Sequence, residues 1–292
     1  MKARFLALAA LVLGMVSCQQ DFDGVAPVGG EVDFQLTVAA PELGATRADG
    51  DERNGHDSAF GAIDYLTDWS EVDLRYTLEV YDVKDGAIVG TAPVKDRMTQ
   101  VVDKYTPVSF DLRLVPNRKY RFVVFADFVD DKGDGKHHVI GETLQNITVL
   151  EDGINNEYTD AYFDFEDITI TNSVAHDIVL RRPYGKVRVI ATDLAELNLN
   201  VEPRSVNVAY EAYHANAFNA VTGEISGEYA QKTFSYNYKE IYKDVKDGGL
   251  ANHYYTEGYD AMVDNGRHTH MTLFTDYILA EDEQSSIHFT MT

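Results

Sequence analysis

The chain has 292 residues, 45% hydrophobic and 11% aromatic, and a formal net charge of -23. That charge argues against nucleic acid and anionic lipid surfaces as partners, because phosphate recognition needs clustered Lys and Arg. One cysteine in the whole chain leaves no intrachain disulfide, so stability has to come from packing.

The N-terminus is read before the fold. Lys2 and Arg4 give a positive start, and Phe5 to Val16 is an apolar run. It is shorter than the roughly 20 residues a spanning helix needs. Ser17 is small and sits directly before Cys18. Residues 1–17 thus read as a lipoprotein signal peptide, with Cys18 lipidated and becoming the new N-terminus. A multiply acylated cysteine is a stable anchor. No later apolar run is long enough to span, so the membrane is reached through the lipid alone.

Residues 18–30 are polar, punctuated by Gly and Pro, and read as a tether. Glu31 to Ala40 then alternates: Val32, Phe34, Leu36 and Val38 on one face, Asp33, Gln35 and Thr37 on the other. This predicts a half-buried strand. Residues 41–55 are small, charged and turn-forming, and predict an exposed loop. Further strands are predicted at Leu74 to Tyr81, Val108 to Val115, Tyr120 to Phe128, Val139 to Val149, Ala161 to Ile170 and Asp177 to Leu180. Tyr120 to Phe128 is apolar on both faces, as a central strand is. The C-terminal part adds Lys186 to Thr192, Ser205 to Tyr213, Thr269 to Ala280 and Ser286 to Met291, with at most a helical turn at Leu194 to Leu199. Many short strands with Gly, Asp and Asn turns predict an all-β protein of sandwich type. A change of character at Asn172 to His176 divides it into residues 31–175 and 176–292. Ser286 to Thr292 reads as half a hairpin, so the C-terminal sheet is expected to be incomplete and the chain truncated.

Motifs for chemistry are sparse. Residues 130–135 (Asp-Asp-Lys-Gly-Asp-Gly) fail as a Ca²⁺ loop, because Lys132 takes a ligand position and Gly141 stands where a bidentate Glu belongs. A hairpin loop is the better reading. His137-His138 and the pair His268 and His270 lack any companion ligand pattern and are read as structural or surface residues. There is no Gly-x-Ser-x-Gly elbow and no phosphate-cradling glycine loop. No catalytic residue, metal or cofactor is assigned, and the protein is not expected to be an enzyme. Tyr-rich residues 229–259, with Tyr254, Tyr255 and Tyr259, are either a candidate binding surface or a loop packing its own aromatics.

The most informative arrangement is the strand Glu31 to Ala40 followed by a loop carrying Arg47 and Ala48. A cut after Arg47 frees the body from its anchor, removes a strand and leaves unpaired backbone groups that invite a strand from elsewhere. An uncut loop with a permanent first strand is the alternative.

Three segments carry a family resemblance: Leu112 to Asp130, Arg182 to Val189 and Phe274 to Ala280. Together with Cys18 and the Ala45-Thr46-Arg47-Ala48 stretch, they resemble Bacteroidales fimbrillin-like lipoproteins, a domain-of-unknown-function group related to major and minor fimbrial subunits. The resemblance implies two tandem Greek-key, transthyretin-like β-sandwich domains, outer-membrane delivery to the cell surface, and removal of the first strand at Arg47 by an arginine-specific protease. Partners would then be other fimbrial subunits or surface proteins, or, for an uncut monomer, glycans or host proteins. Asp21 and Asp23 resemble a surface-export signal, and Asp57-Ser58-Ala59 matches an O-glycosylation pattern of such bacteria, with Ser58 the acceptor.

Overall fold

The computed structural model describes residues 30–40, 72–151, 157–172, 174–191, 205–227, 230–237, 263–264, 267–268, 271–279 and 289–291. Among these the fold is all-β, with no α-helix. The first strands are β1 (Val32–Val38), β2 (Asp73–Lys84), β3 (Ala87–Ile88), β4 (Met98–Val102), β5 (Val108–Leu114) and β6 (Arg118–Val129). Then come β7 (His138–Ile140), β8 (Ile147–Val149), β9 (Ala161–Ile170) and β10 (Val174–Ile178). The later strands are β11 (Tyr184–Ala191), β12 (Ser205–His214), β13 (Ala217–Asn219), β14 (Glu224–Ser226) and β15 (Ala230–Asn237). They end with β16 (Val263–Asp264), β17 (Arg267–His268), β18 (Met271–Leu279) and β19 (Phe289–Met291).

The centre is the sheet β3-β2-β6-β9, with β4 also paired to β2. Its long strand β6 is buried on both faces, as its unbroken apolar run Phe122 to Ala126 requires. Successive side chains of a strand point to opposite faces. Tyr120, Phe122, Val124, Ala126 and Phe128 therefore face one core, and Val123 and Phe125 face another. The first core is closed by the sheet β10-β1-β5. The second is closed by the sheet β14-β13-β8-β7 and by Tyr184, Tyr277 and Leu279 from the pair β11-β18. Three layers result, with the central sheet shared.

Turn chemistry agrees with this layout. Asp85 and Gly86 both have positive φ, 53° and 82°, and join β2 to β3 in a two-residue hairpin. That is the turn an Asp-Gly dipeptide favours between twisted strands. Pro116-Asn117, with Asn117 at φ 60°, turns β5 into β6. Proline presets the first turn position and asparagine tolerates the left-handed second.

The predicted strands at 31–40, 74–81, 108–115, 120–128 and 161–170 form with small shifts of their ends. Val139 to Val149 is a correction: it is a hairpin of two short strands, with Ile140 opposite Ile147 and His138 opposite Val149. Gly141 accounts for the break. A Cβ there would lie 3.0 Å from the Asn146 carbonyl oxygen, and the Gly141 amide donates to that same oxygen at 2.8 Å. The loop at 130–135 is a hairpin loop as expected, built by Asp130 Oδ1, which accepts the amides of Lys132 and Asp134. β10 runs through residues 175 and 176. The second core joins Tyr184, Phe218 and Tyr277 to residues lying between Tyr81 and Phe163.

Candidate functional site

β1 is the first described strand, yet it lies in the middle of its sheet. It runs antiparallel to β5, with Val32 opposite Leu114 and Val38 opposite Val108. It runs parallel to β10, with Phe34 beside Val174 and Val38 beside Ile178. Ala39 extends the ladder by donating to the Ile178 carbonyl at 3.0 Å. Both edges of the strand are thus engaged from Phe34 onward, and the β5 edge along its whole length.

The inward face of β1 is apolar throughout. Val32, Phe34, Leu36 and Val38 are 9%, 2%, 0% and 0% exposed. Burying each such side chain stabilises by about 1.5–3 kcal/mol. The Phe34 ring stacks on Phe122 of β6, with centroids 4.8 Å apart and planes 28° from parallel. The outward face is polar and weakly held. Gln35 donates to Asp111 at 2.9 Å, the Thr37 and Ser109 hydroxyls lie 3.4 Å apart, and Arg113 reaches Asp33 at 3.6 Å. Exposed pairs of this kind are worth little. Lys95 bonds Glu31 at 2.7 Å and holds its carboxyl below the ordinary value. The grip on β1 is therefore backbone pairing plus four apolar contacts.

Across β10 the wall is thinner. Ile178 is buried, whereas Val174 is 39% exposed. His176 pairs with Glu166 of β9 at 2.6 Å on the rim. Just past β10, Arg181 and Phe163 exchange backbone hydrogen bonds, and Arg182 enters the interior. The Arg182 guanidinium meets Asp160 at 2.7 Å, and the Tyr162 hydroxyl donates to the same carboxylate at 2.7 Å. Burial works against the Arg182 cation, and Asp160 beside it holds its pKa above the ordinary value.

Three more polar knots lie on the second face of the central sheet. Glu79 accepts from Arg97 at 2.9 Å, from the Leu144 amide at 2.8 Å and from the Tyr81 hydroxyl. Asp127 takes a two-pronged contact from Arg75 at 2.8 and 3.0 Å, while Arg75 also donates to the Gly133 carbonyl. His138 Nε2 lies 2.5 Å from the Tyr184 hydroxyl. Burial pushes the Asp127 carboxyl up to about 6, against the pull of Arg75, and pushes the His138 imidazole down to about 3.

These two groups act on stability with opposite signs. Asp127 binds its proton more tightly when folded, so its contribution is present below about pH 4 and is lost as pH rises toward 6. His138 resists its proton when folded, so its contribution is present above about pH 6.5 and is lost as pH falls toward 3. An NMR titration is expected to place the Asp127 carboxyl midpoint near 6 and to leave His138 neutral down to pH 4. An Asp127 midpoint under 4, or a His138 midpoint above 5, would contradict this reading.

Of the residues singled out from the sequence, Cys18, Arg47, Ala48, Ser58, Tyr254, Tyr255 and Tyr259 lie outside the described residues, as do His270 and residues 194–199. His268 is on β17. His137 and His138 are buried, 7% and 1% exposed, and belong to the interior. Sequence reading missed β3, β4, β13, β14, β15, β16 and β17, and it missed β10 as the parallel partner of β1.

The fold and the site define an all-β layered protein whose first described strand is held on both sides at the middle of an outer sheet. The chain belongs to the DUF6562 family of unknown function, whose model matches residues 26–292. No curated protein matches it. Among solved structures it is similar to a "putative polysaccharide binding" protein from Bacteroides thetaiotaomicron, at 13% identity and a TM-score of 0.43, over 89% of this chain and 76% of that one. It is similar to a "putative adhesin" from Bacteroides ovatus, at 13% identity and a TM-score of 0.38, over 90% and 71% of the two chains. It is also similar to a "putative cell adhesion protein" from Bacteroides eggerthii, at 11% identity and a TM-score of 0.38, over 90% and 76%.

Proposed function

We propose that this chain is a cell-surface structural and adhesive subunit, fimbrial or fimbria-associated, delivered to the outer membrane by lipid on Cys18. It assembles with other subunits by β-strand donation after cleavage at Arg47. The observation that carries the reading is the seating of β1: an N-terminal strand with both backbone edges paired and four apolar side chains buried. The lipid site lies before that strand in the sequence and Arg47 lies after it. One cut then separates the body from the strand and the anchor joined to it, and the vacated position has the chemistry of β-strand addition. Ser58 is a glycosylation acceptor in the same reading. Catalysis has no part in it.

Sequencing the mature N-terminus from the surface fraction of an expressing relative tests this. The expected start is Ala48, with an Arg47→Ala variant left uncut and unable to form oligomers. A lipid-blocked start at Cys18 on nearly all molecules would refute strand removal. It would favour an anchored monomer that binds glycan or host protein through Tyr254, Tyr255 and Tyr259.

A further inference from the structure

We propose that a hairpin arm of the C-terminal half clamps the two halves of the chain together, so that they resist tension and unfold as one unit. The N-terminal half here runs through β10, and the C-terminal half starts at β11. The arm is the pair β12 and β15, and its tip is the pair β13 and β14. The inference does not rest on removal of β1.

The arm belongs to two sheets. β12 and β15 pair from Ser205 opposite Asn237 to His214 opposite Ala230. Pairing resumes beyond them, from Ala217 opposite Ser226 to Asn219 opposite Glu224. The base stays in the sheet β15-β12-β19, whereas the tip joins β14-β13-β8-β7. Among the described residues, that is the only sheet assembled from both halves. The elbow between base and tip falls at Gly227, with φ 94°. A Cβ there would lie 2.3 Å from Asn216 Oδ1 and 2.8 Å from the Ala217 Cβ. Glycine alone takes this backbone conformation without cost, and only glycine leaves room for the opposing strand.

The tip is seated as a plug. Hairpin tips ordinarily lie on the surface, yet Ala220 and Val221 in this turn are both 0% exposed. Phe218 just before them meets Phe163 of β9 edge to face, with centroids 4.6 Å apart. Ala215, Phe218, Ala220 and Val221 are four of the seven residues that the C-terminal half gives to the second core. Backbone bonds fasten the same segment. The Val149 amide donates to the Asn216 carbonyl at 2.7 Å, and the Ala220 amide donates to the Leu144 carbonyl at 2.9 Å. Arg121 of β6 donates to the Val221 carbonyl at 3.1 Å. These partners are themselves fixed to the central sheet. The Leu144 amide is held by Glu79, and Arg121 by Asp167 at 2.7 Å. The turn is shaped locally, because the Asn219 side chain accepts the amides of Val221 and Thr222. Drawing the halves apart would strip β13 from β8 and open the second core. Unpaired backbone groups and exposed apolar area both cost free energy. Domains that share only a linker and a small interface move relative to each other; a shared sheet and a shared core prevent that here.

The test pulls the chain, uncut at Arg47, from its two ends in optical tweezers. The unmodified chain is expected to open in a single step; two separate steps would overturn the clamp. Gly227→Val blocks the elbow while leaving the side chains of both halves in place. Phe218→Ala weakens the plug instead and serves where the elbow variant does not fold. Each is expected to split the opening into two steps, the first at lower force than the single step of the unmodified chain. A single step that persists in the folded variants would show that other contacts join the halves, and would overturn the clamp. Glu224→Ala, on the exposed side of the tip, is expected to keep the single step. Thr148 and Ala217 are opposite each other in the β8–β13 ladder. Opposed strand residues are close enough for a disulfide, so Thr148→Cys with Ala217→Cys is expected, when oxidised, to restore the single step to Gly227→Val. Two steps with that lock closed would contradict the assignment of the coupling to the arm.

Discussion

Phe34→Ala is expected to destabilise the chain that is still uncut at Arg47 by about 3–5 kcal/mol, the range for deleting a buried aromatic side chain. The ring is 2% exposed and stacked on Phe122, in the same buried core as Leu112, its partner across the β1–β5 ladder. Its loss removes apolar burial and leaves a void between two sheets that cannot close without shifting β1. Since a domain of ordinary stability holds about 5–15 kcal/mol in all, urea unfolding should show a large fall in midpoint. Asp33→Ala, on the outward face of the same strand, should change stability by less than about 0.5 kcal/mol. Equal effects at the two positions would mean that β1 is not part of the core.

Arg182→Met is the second large effect. Arg182 and Asp160 are a buried pair, with side chains 3% and 4% exposed. Removing the cation leaves the Asp160 carboxylate in the interior with the Tyr162 hydroxyl as its remaining side-chain donor. Breaking a buried pair in this way costs about 3–5 kcal/mol. The pair sits where the chain leaves β10, so the loss also loosens one wall of the β1 slot. Replacing both partners, Arg182→Met with Asp160→Leu, should recover most of the stability, because apolar packing often substitutes for a buried ion pair. A double variant as unstable as the single one would show that the pair contributes through geometry that apolar packing cannot replace.

The contrast between these two sites marks what the sequence made legible. β1 and β5 alternate cleanly, and period-2 alternation is the signature of one buried face; their burial follows it position by position. β6 announces its central place by being apolar on both faces. Glu79 and Asp127 do the opposite. In Leu78-Glu79-Val80 the glutamate reads as a solvent-facing residue. The third layer covers that second face, and Glu79 ends 1% exposed against Arg97. Alternation reports one buried face and is silent about a second.

The β1–β10 pairing was hidden for a different reason. Val174, Ala175 and Asp177 are exposed and His176 is only half-buried, so β10 carries almost no hydrophobic period. Its pairing is decided by a strand far away in the chain. β4 escaped notice because Thr99 and Val101 face outward at a sheet edge. The polar knots at Arg182 and His138 join residues remote in sequence, and no local pattern encodes such contacts.

The central claim is that β1 has to leave for subunits to assemble, and one disulfide tests it. Thr37 and Ser109 lie opposite each other in the β1–β5 ladder with their hydroxyl oxygens 3.4 Å apart. Cβ atoms of directly opposed strand residues are close enough for a disulfide, and the native Cys18 lies at the expected lipid site, far from this pair in the sequence. A Thr37→Cys, Ser109→Cys chain is to be expressed on the surface of a related bacterium and its oligomers read by electrophoresis, oxidised and reduced. The account predicts monomers when the lock is closed and oligomers once reductant opens it. Oligomers that form equally well with the lock closed would contradict it.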